Sequence, residues 1–134
     1  MGPHGEELVR TALEHWNRSD WEAVLRYVDR DVEWRTAAPL LDLPELSRGH
    51  DGVRAFWQTW TSSWTNIRVD PEEFIPAGDE LLVLVRWQAR SHTGIEVDQP
   101  VAFRFLIRDE RVTRFISYWE RDAAFEALGL PARG

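Results

Sequence analysis

The chain has 134 residues, a formal net charge of −7, 43% hydrophobic residues and 29% charged residues. That balance is globular rather than disordered, the acidic charge argues against nucleic acid, which needs a basic surface, and no apolar run reaches the length of a membrane span. Cysteine and lysine are both absent, which excludes disulfides, thiolate nucleophiles, cysteine zinc sites and lysine Schiff bases.

Residues 5–17 carry Leu8, Val9, Ala12, Leu13 and Trp16 at helical spacing. The stretch SDWEAVLRYV opens with Ser19 and Glu22 in capping-box spacing and continues with Trp21, Val24, Leu25 and Val28 as its apolar face. Asp29–Asp31 read as a turn. Val32–Thr36 then alternates as a short strand, with Trp34 and Thr36 on one face and Glu33 and Arg35 on the other. Pro39 and Pro44 mark a loop. Asp51 is placed to cap a helix from Gly52 to about Ser63, with Val53, Trp57, Trp60 and Trp64 on one face.

The second half changes to a period of two. Ile67–Ile75 reads as a strand interrupted by Pro71, hence an edge or bulged strand. Leu81–Arg90, Ile95–Arg108 and Val112–Glu120 are further strands separated by short turns. Asp122–Leu128 is a short helix ended by Gly129 and Pro131. Four strands on short turns make an antiparallel meander. With helices at the front, the expected class is α+β, one domain with N-terminal helices packed on one face of a curved, mostly antiparallel sheet.

Eight tryptophans are a heavy load for this length, and an indole suits cores and ligand cavities alike. Trp57 and Trp60 are expected to wall a pocket as well as pack, and Trp34 to add a wall if it points inward. Arg86 and Gln88 share one face of their strand with Leu82 and Leu84; the other face carries Val83, Val85, Trp87 and Ala89. Both faces are apolar, so parity leaves the choice open. The functional alternative has Arg86 in the cavity, paired with Glu120; the other has it on the outer face. Glu120 would have a raised pKa if buried among tryptophans and a lowered one if paired with Arg86. No His/Asp/Glu spacing resembles a metal site; His50 and His92 read as solvated loop histidines, and His15, beside Trp16, is within reach of the pocket with nothing to select it.

The phrases "WNRSDWEAVLRYVDRDVEW", "RGHDGVRAFW", "EEFIPAGDELLVLVRW" and "RVTRFISYWERDAAFEALGL" resemble the SnoaL-like branch of the nuclear transport factor 2-like superfamily over nearly the whole chain. The resemblance implies a cone-shaped α+β barrel, a pocket between helices and concave sheet, and a homodimer. It implies no single activity, because the superfamily spans isomerases, cyclases, epoxide hydrolases and proteins without chemistry. The tyrosine and two aspartates of ketosteroid isomerases would fall near Ala12, at Trp34 or Arg35, and near Val101, so none survives. Limonene-epoxide hydrolases resemble the last strand. Their final aspartate corresponds to Glu120 or Asp122, their Tyr/Asn pair to Trp34 and Thr36, and their Arg-x-Asp pair to Arg86 and Gln88 or to Leu84 and Arg86. Polyketide cyclases of this branch again point to Glu120 as acid/base.

The resulting expectation is a pocket for a small apolar or aromatic molecule, walled by Trp16, Trp34, Trp57, Trp60, Phe103 and Tyr118. Two functions stand side by side. One is cofactor-free hydrolase, cyclase or isomerase chemistry with Glu120 as acid/base and Arg86 and Gln88 orienting. The other is a non-catalytic ligand-binding or dimerisation module. No metal, cofactor, nucleic acid or membrane is expected, and a cytoplasmic location is.

Overall fold

The structure, a computed structural model, describes residues 3–36 and 45–131. The expected loop at Pro39 and Pro44 lies outside the described residues. In chain order the elements are α1 (Pro3–Asn17), α2 (Trp21–Leu25), β1 (Val28–Thr36), β2 (Leu46–Arg48), α3 (Gly49–Thr61), β3 (Trp64–Ala77), β4 (Glu80–Ser91), β5 (Glu96–Arg108), β6 (Arg111–Tyr118) and α4 (Arg121–Ala127). Six strands form one sheet in the order β2-β1-β6-β5-β4-β3. The meander β3 to β6 is antiparallel throughout, as its short turns require. β1 is antiparallel to β2 but parallel to β6. The sheet is open rather than a closed barrel, with β2 and β3 as its edges.

Pro71 has no N–H for a ladder, and it sits on edge strand β3 beside a register shift between Pro71 and Glu73. Asn17, the last residue of α1, laces that edge to the helix layer. Its Nδ2 donates to Val69 O at 2.9 Å, and Val69 N–H donates to its Oδ1 at 2.8 Å. The side-chain amide thus acts as a one-residue strand partner.

Several local expectations shift. The cap of α2 is Asp20, whose Oδ1 accepts from Ala23 N–H at 3.2 Å, while Ser19 takes up φ +61° between the helices. β1 begins at Val28, which pairs with Val112, so residues 29–31 belong to the strand rather than to a turn. α3 begins at Gly49, and Asp51 sits in its first turn holding Arg54 at 2.9 Å instead of capping. Gly49 has φ +71°, and a Cβ there would come within 3.2 Å of Arg30 O, so glycine suits this entry to the helix. Trp64 leaves the helix and opens β3.

The sheet is buried on both faces within the chain. The inner face, with Val83, Val85 and Trp87, packs against α1 to α3. The outer face, with Leu82, Leu84, Ala102, Ile116 and Tyr118, packs against Ala124 and Phe125 of α4. The helices therefore divide, three on one side and the last on the other. Arg121 fastens α4 to the sheet. Its Nε donates to Val101 O at 3.1 Å, and one terminal nitrogen donates to Val85 O at 2.9 Å and also to Glu72. The hydrogen bond from Arg121 holds the Glu72 carboxyl below its ordinary range, with Arg86 adding to the effect.

An Arg121→Ala variant leaves two carbonyls without this donor, and its expected loss of stability in urea titration is about 1–3 kcal/mol. Faster hydrogen exchange should be confined to α4. Because the folded Glu72 pKa is lowered, its contribution is full above the ordinary carboxylate range and disappears as pH falls through the lowered value. Arg121→Ala should therefore flatten the acid limb of the stability profile, to an extent limited by solvent screening.

Candidate functional site

Between α1, α2, α3 and the inner face of the sheet lies a cavity of about 140 Å³, partly open to solvent. Tryptophans build it around two hubs. Trp57, 2% exposed, receives the rings of Trp16, Trp21 and Trp34 edge-on, with centroids at 5.2, 5.7 and 5.5 Å. Trp87 is met by Trp60, Trp64 and Trp119 at 5.4, 5.0 and 5.5 Å. Trp34 also stacks on Phe115 with centroids 3.8 Å apart. Indoles prefer such edge-to-face and offset contacts because the ring face is negative and its edge positive. Both hubs also line the cavity, so the residues that pack the core are its walls.

Trp16, Trp34, Trp57, Trp60, Phe103 and Tyr118 all border this cavity. Tyr118 differs from the other five. Its ring belongs to the outer apolar cluster, and its hydroxyl accepts from Arg104 on that face at 3.2 Å. Arg104 is in turn ion-paired with Glu80.

The three residues expected to carry chemistry do not meet. Arg86 is on the outer face, where it holds Asp98 at 3.0 Å and Glu72 at 3.6 Å; the hydrogen bond to Asp98 is the main cause of its raised pKa. Gln88 shares that face, opposite Asp98 in register. Glu120 is exposed at the N-terminus of α4, makes no side-chain cap bond and is not part of the cavity wall. The expected Arg86–Glu120 pair is therefore not formed. On β4 strand alternation is the physical reason: Trp87 points inward, which turns Arg86 and Gln88 away, while Glu120 lies past the end of β6 at the N-cap of α4.

Sequence reading passed over Trp87, Trp119, Tyr27, Thr36 and Ser117 as wall residues. The period of two carried the signal for Trp87 and Trp119 once one inward residue on each strand was known. Among the described lining residues there is no Asp, Glu, His or Arg, and the titratable side chains are Tyr27 and Tyr118. His15 stacks on Tyr27 at 6.0 Å, His50 Nε2 meets Val28 O at 2.8 Å, and His92 meets Ser62 O. Among the described residues, two polar atoms of the wall are buried without a hydrogen bond, Trp16 Nε1 and Thr36 Oγ1. Among the described residues no acidic or histidine cluster has the form of a metal site, and no helix is long and apolar enough to cross a membrane.

Residues 9–115 match the model of the SnoaL-like domain. Among solved structures, an NTF2-like protein of unknown function from Burkholderia pseudomallei is 22% identical, with a TM-score of 0.80, over 95% of this chain and 98% of that one. TerC, co-crystallised with polyporic acid, is 23% identical with a TM-score of 0.78, over 96% and 99%. Rv0760c from Mycobacterium tuberculosis, in complex with estradiol-17beta-hemisuccinate, is 18% identical with a TM-score of 0.76, over 89% and 95%. At these identities the likeness establishes the fold. A search of curated proteins finds no match.

Truncating the first hub tests the double duty of the tryptophans. Trp57→Ala is expected to cost about 3–5 kcal/mol in urea unfolding, whereas Trp60→Ala, at a half-buried position on the same helix, should cost clearly less.

Proposed function

The chain belongs to the SnoaL-like domain family, and from that premise we propose that it binds a small, uncharged, largely aromatic molecule in the tryptophan-walled cavity, without acid–base chemistry. The observation that carries this reading is the character of the described wall: apolar and aromatic side chains, the aliphatic hydroxyls of Thr36 and Ser117, two tyrosines, and no carboxylate, histidine or arginine. Such a wall attracts flat apolar surface and disfavours a charge, because an ion buried there without a partner costs several kcal/mol. Its volume is close to that of an engineered apolar cavity of about 150 Å³ that stays dry and takes up benzene. The ligands named with TerC and Rv0760c support an organic small molecule as the occupant.

The catalytic alternative places Glu120, Arg86 and Gln88 around a substrate. Glu120 is solvated and the other two lie across the sheet from the cavity, so the binding reading is favoured. A homodimer remains part of the proposal through the family. The sequence argument for it, apolar residues on both sheet faces, is met within one chain by α4. We likewise propose a cytoplasmic setting.

Titration calorimetry with naphthalene and 2-naphthoate tests the reading. Saturable binding of naphthalene is expected, with the carboxylate at least about tenfold weaker. Glu120→Gln should alter neither affinity. Equal binding of the two compounds, or loss of binding in Glu120→Gln, would sink the proposal. Sedimentation velocity at tens of micromolar should show a dimer, and a monomer alone would remove that part.

A further inference from the structure

The parallel pairing of β1 with β6 sets two ladders of side chains into the cavity wall. Trp34 is in register with Phe115, and two residues further along both strands Thr36 is in register with Ser117. All four border the cavity. At about 3.3 Å of rise per residue the hydroxyl pair lies roughly 6.6 Å beyond the stacked aromatic pair. That separation is on the scale of the long dimension of a two-ring fused aromatic body.

Neither hydroxyl is spent on the described residues. Thr36 is 6% exposed and its Oγ1 has no hydrogen-bond partner among the described residues. The Ser117 side chain makes no hydrogen bond to the described residues either. A buried hydroxyl left without a partner costs about 1–3 kcal/mol. Thr36 is such a group, and with the half-buried Ser117 hydroxyl beside it at the end of an aromatic wall it forms a feature that a bound oxygen would relieve. Valine at position 36 and alanine at position 117 would fill the same space without that cost.

Resting on the binding reading above, we propose that Thr36 and Ser117 form a polar subsite receiving one neutral oxygen of the ligand, a phenolic or alcoholic hydroxyl or a ketone carbonyl, at the end of an aromatic body seated against the tryptophans. A hydroxyl both donates and accepts, so the pair serves either oxygen type. Neither residue carries a charge, so an ionised head group gains no counter-ion there. The site then recognises by shape along the Trp34 and Trp57 wall, and orients by a single polar contact at its end.

The test compares naphthalene with 2-naphthol by titration calorimetry on the intact chain, in the wild type, Ser117→Ala, Thr36→Val and the double variant. The wild type should bind 2-naphthol about tenfold more tightly than naphthalene, as one net hydrogen bond provides. In the double variant that preference should fall to near one while naphthalene affinity holds within about threefold, which also reports that the variant is folded. Should the double variant fail to fold, Ser117→Ala alone should reduce the preference at least about threefold, and Thr36→Ser, which keeps the hydroxyl, should retain it. A wild-type preference near one, with naphthalene bound, overturns the polar subsite and leaves the binding reading standing. So does a preference that persists in Ser117→Ala and Thr36→Val. Failure of both compounds to bind the wild type overturns the two together.

Discussion

Rings from two helices and the first long strand converge on one side chain of the helix layer, the indole of Trp57. Trp16 from α1, Trp21 from the start of α2 and Trp34 from β1 each present an edge to it. Each such aromatic pair adds about 0.5–1.5 kcal/mol beyond the area it buries. The same geometry limits how closely the layers can approach. Rings held edge-on stand away from one another, and two-bonded rigid side chains cannot flow into the space between them as methionine would. Packing by indoles thus stabilises the junction and leaves an interior space whose walls are the packing residues themselves.

Sidedness follows from that junction. Once Trp34, Trp87 and Trp119 point toward the helices, their strand neighbours must point away. Glu33 and Arg35 flank Trp34 and pair with each other; Arg86 flanks Trp87 and pairs with Asp98 and Glu72. The charged groups then form a layer of their own on the outer face, where Arg121 and Glu72 tie the last helix across β4 and β5. Arginine suits this work because its planar fork reaches two carbonyls and a carboxylate at once, which a lysine ammonium does with less directional control. The absence of lysine from the chain fits a surface built from such forks.

The legible parts of the sequence were those with one buried face. The residues of α1 and α3 repeat at helical spacing, and the meander declared itself through short turns and the demotion of Pro71 to an edge strand. β2 is three residues long, too short for any period. The start of β1 was hidden because residues 29–31 carry two aspartates and an arginine on a solvent-facing stretch that mimics a turn. The face of Arg86 could not be chosen by parity, since Leu82 and Leu84 on one side and Val83 and Val85 on the other are all buried. What decides it is α4, an element far along the chain that covers the outer face. The hydroxyl pair was out of reach for a related reason: Thr36 and Ser117 become neighbours through a parallel crossover, and no local pattern announces one.

That crossover also explains why a family resemblance pointing to carboxylates leads here to a neutral cavity. The resemblance puts the isomerase base at Trp34 or Arg35; of these Trp34 borders the cavity, stacked on Phe115 across the parallel pair, and Arg35 is paired with Glu33. An ionised carboxylate in that place would need a counter-charge or several donors to offset its lost hydration. The described wall supplies no counter-charge: no arginine lines it, and Arg86, Arg104 and Arg121 are paired with carboxylates elsewhere. Replacing the acid by an indole removes the need for compensation and adds apolar surface to the cavity. Glu120 shows the same constraint one residue beyond a wall tryptophan. Trp119 takes the inward direction and meets Trp87, so the carboxylate beside it is left in water at the head of a helix. In this chain ring packing and interior charge compete for the same inward positions, and at each of these the ring has won.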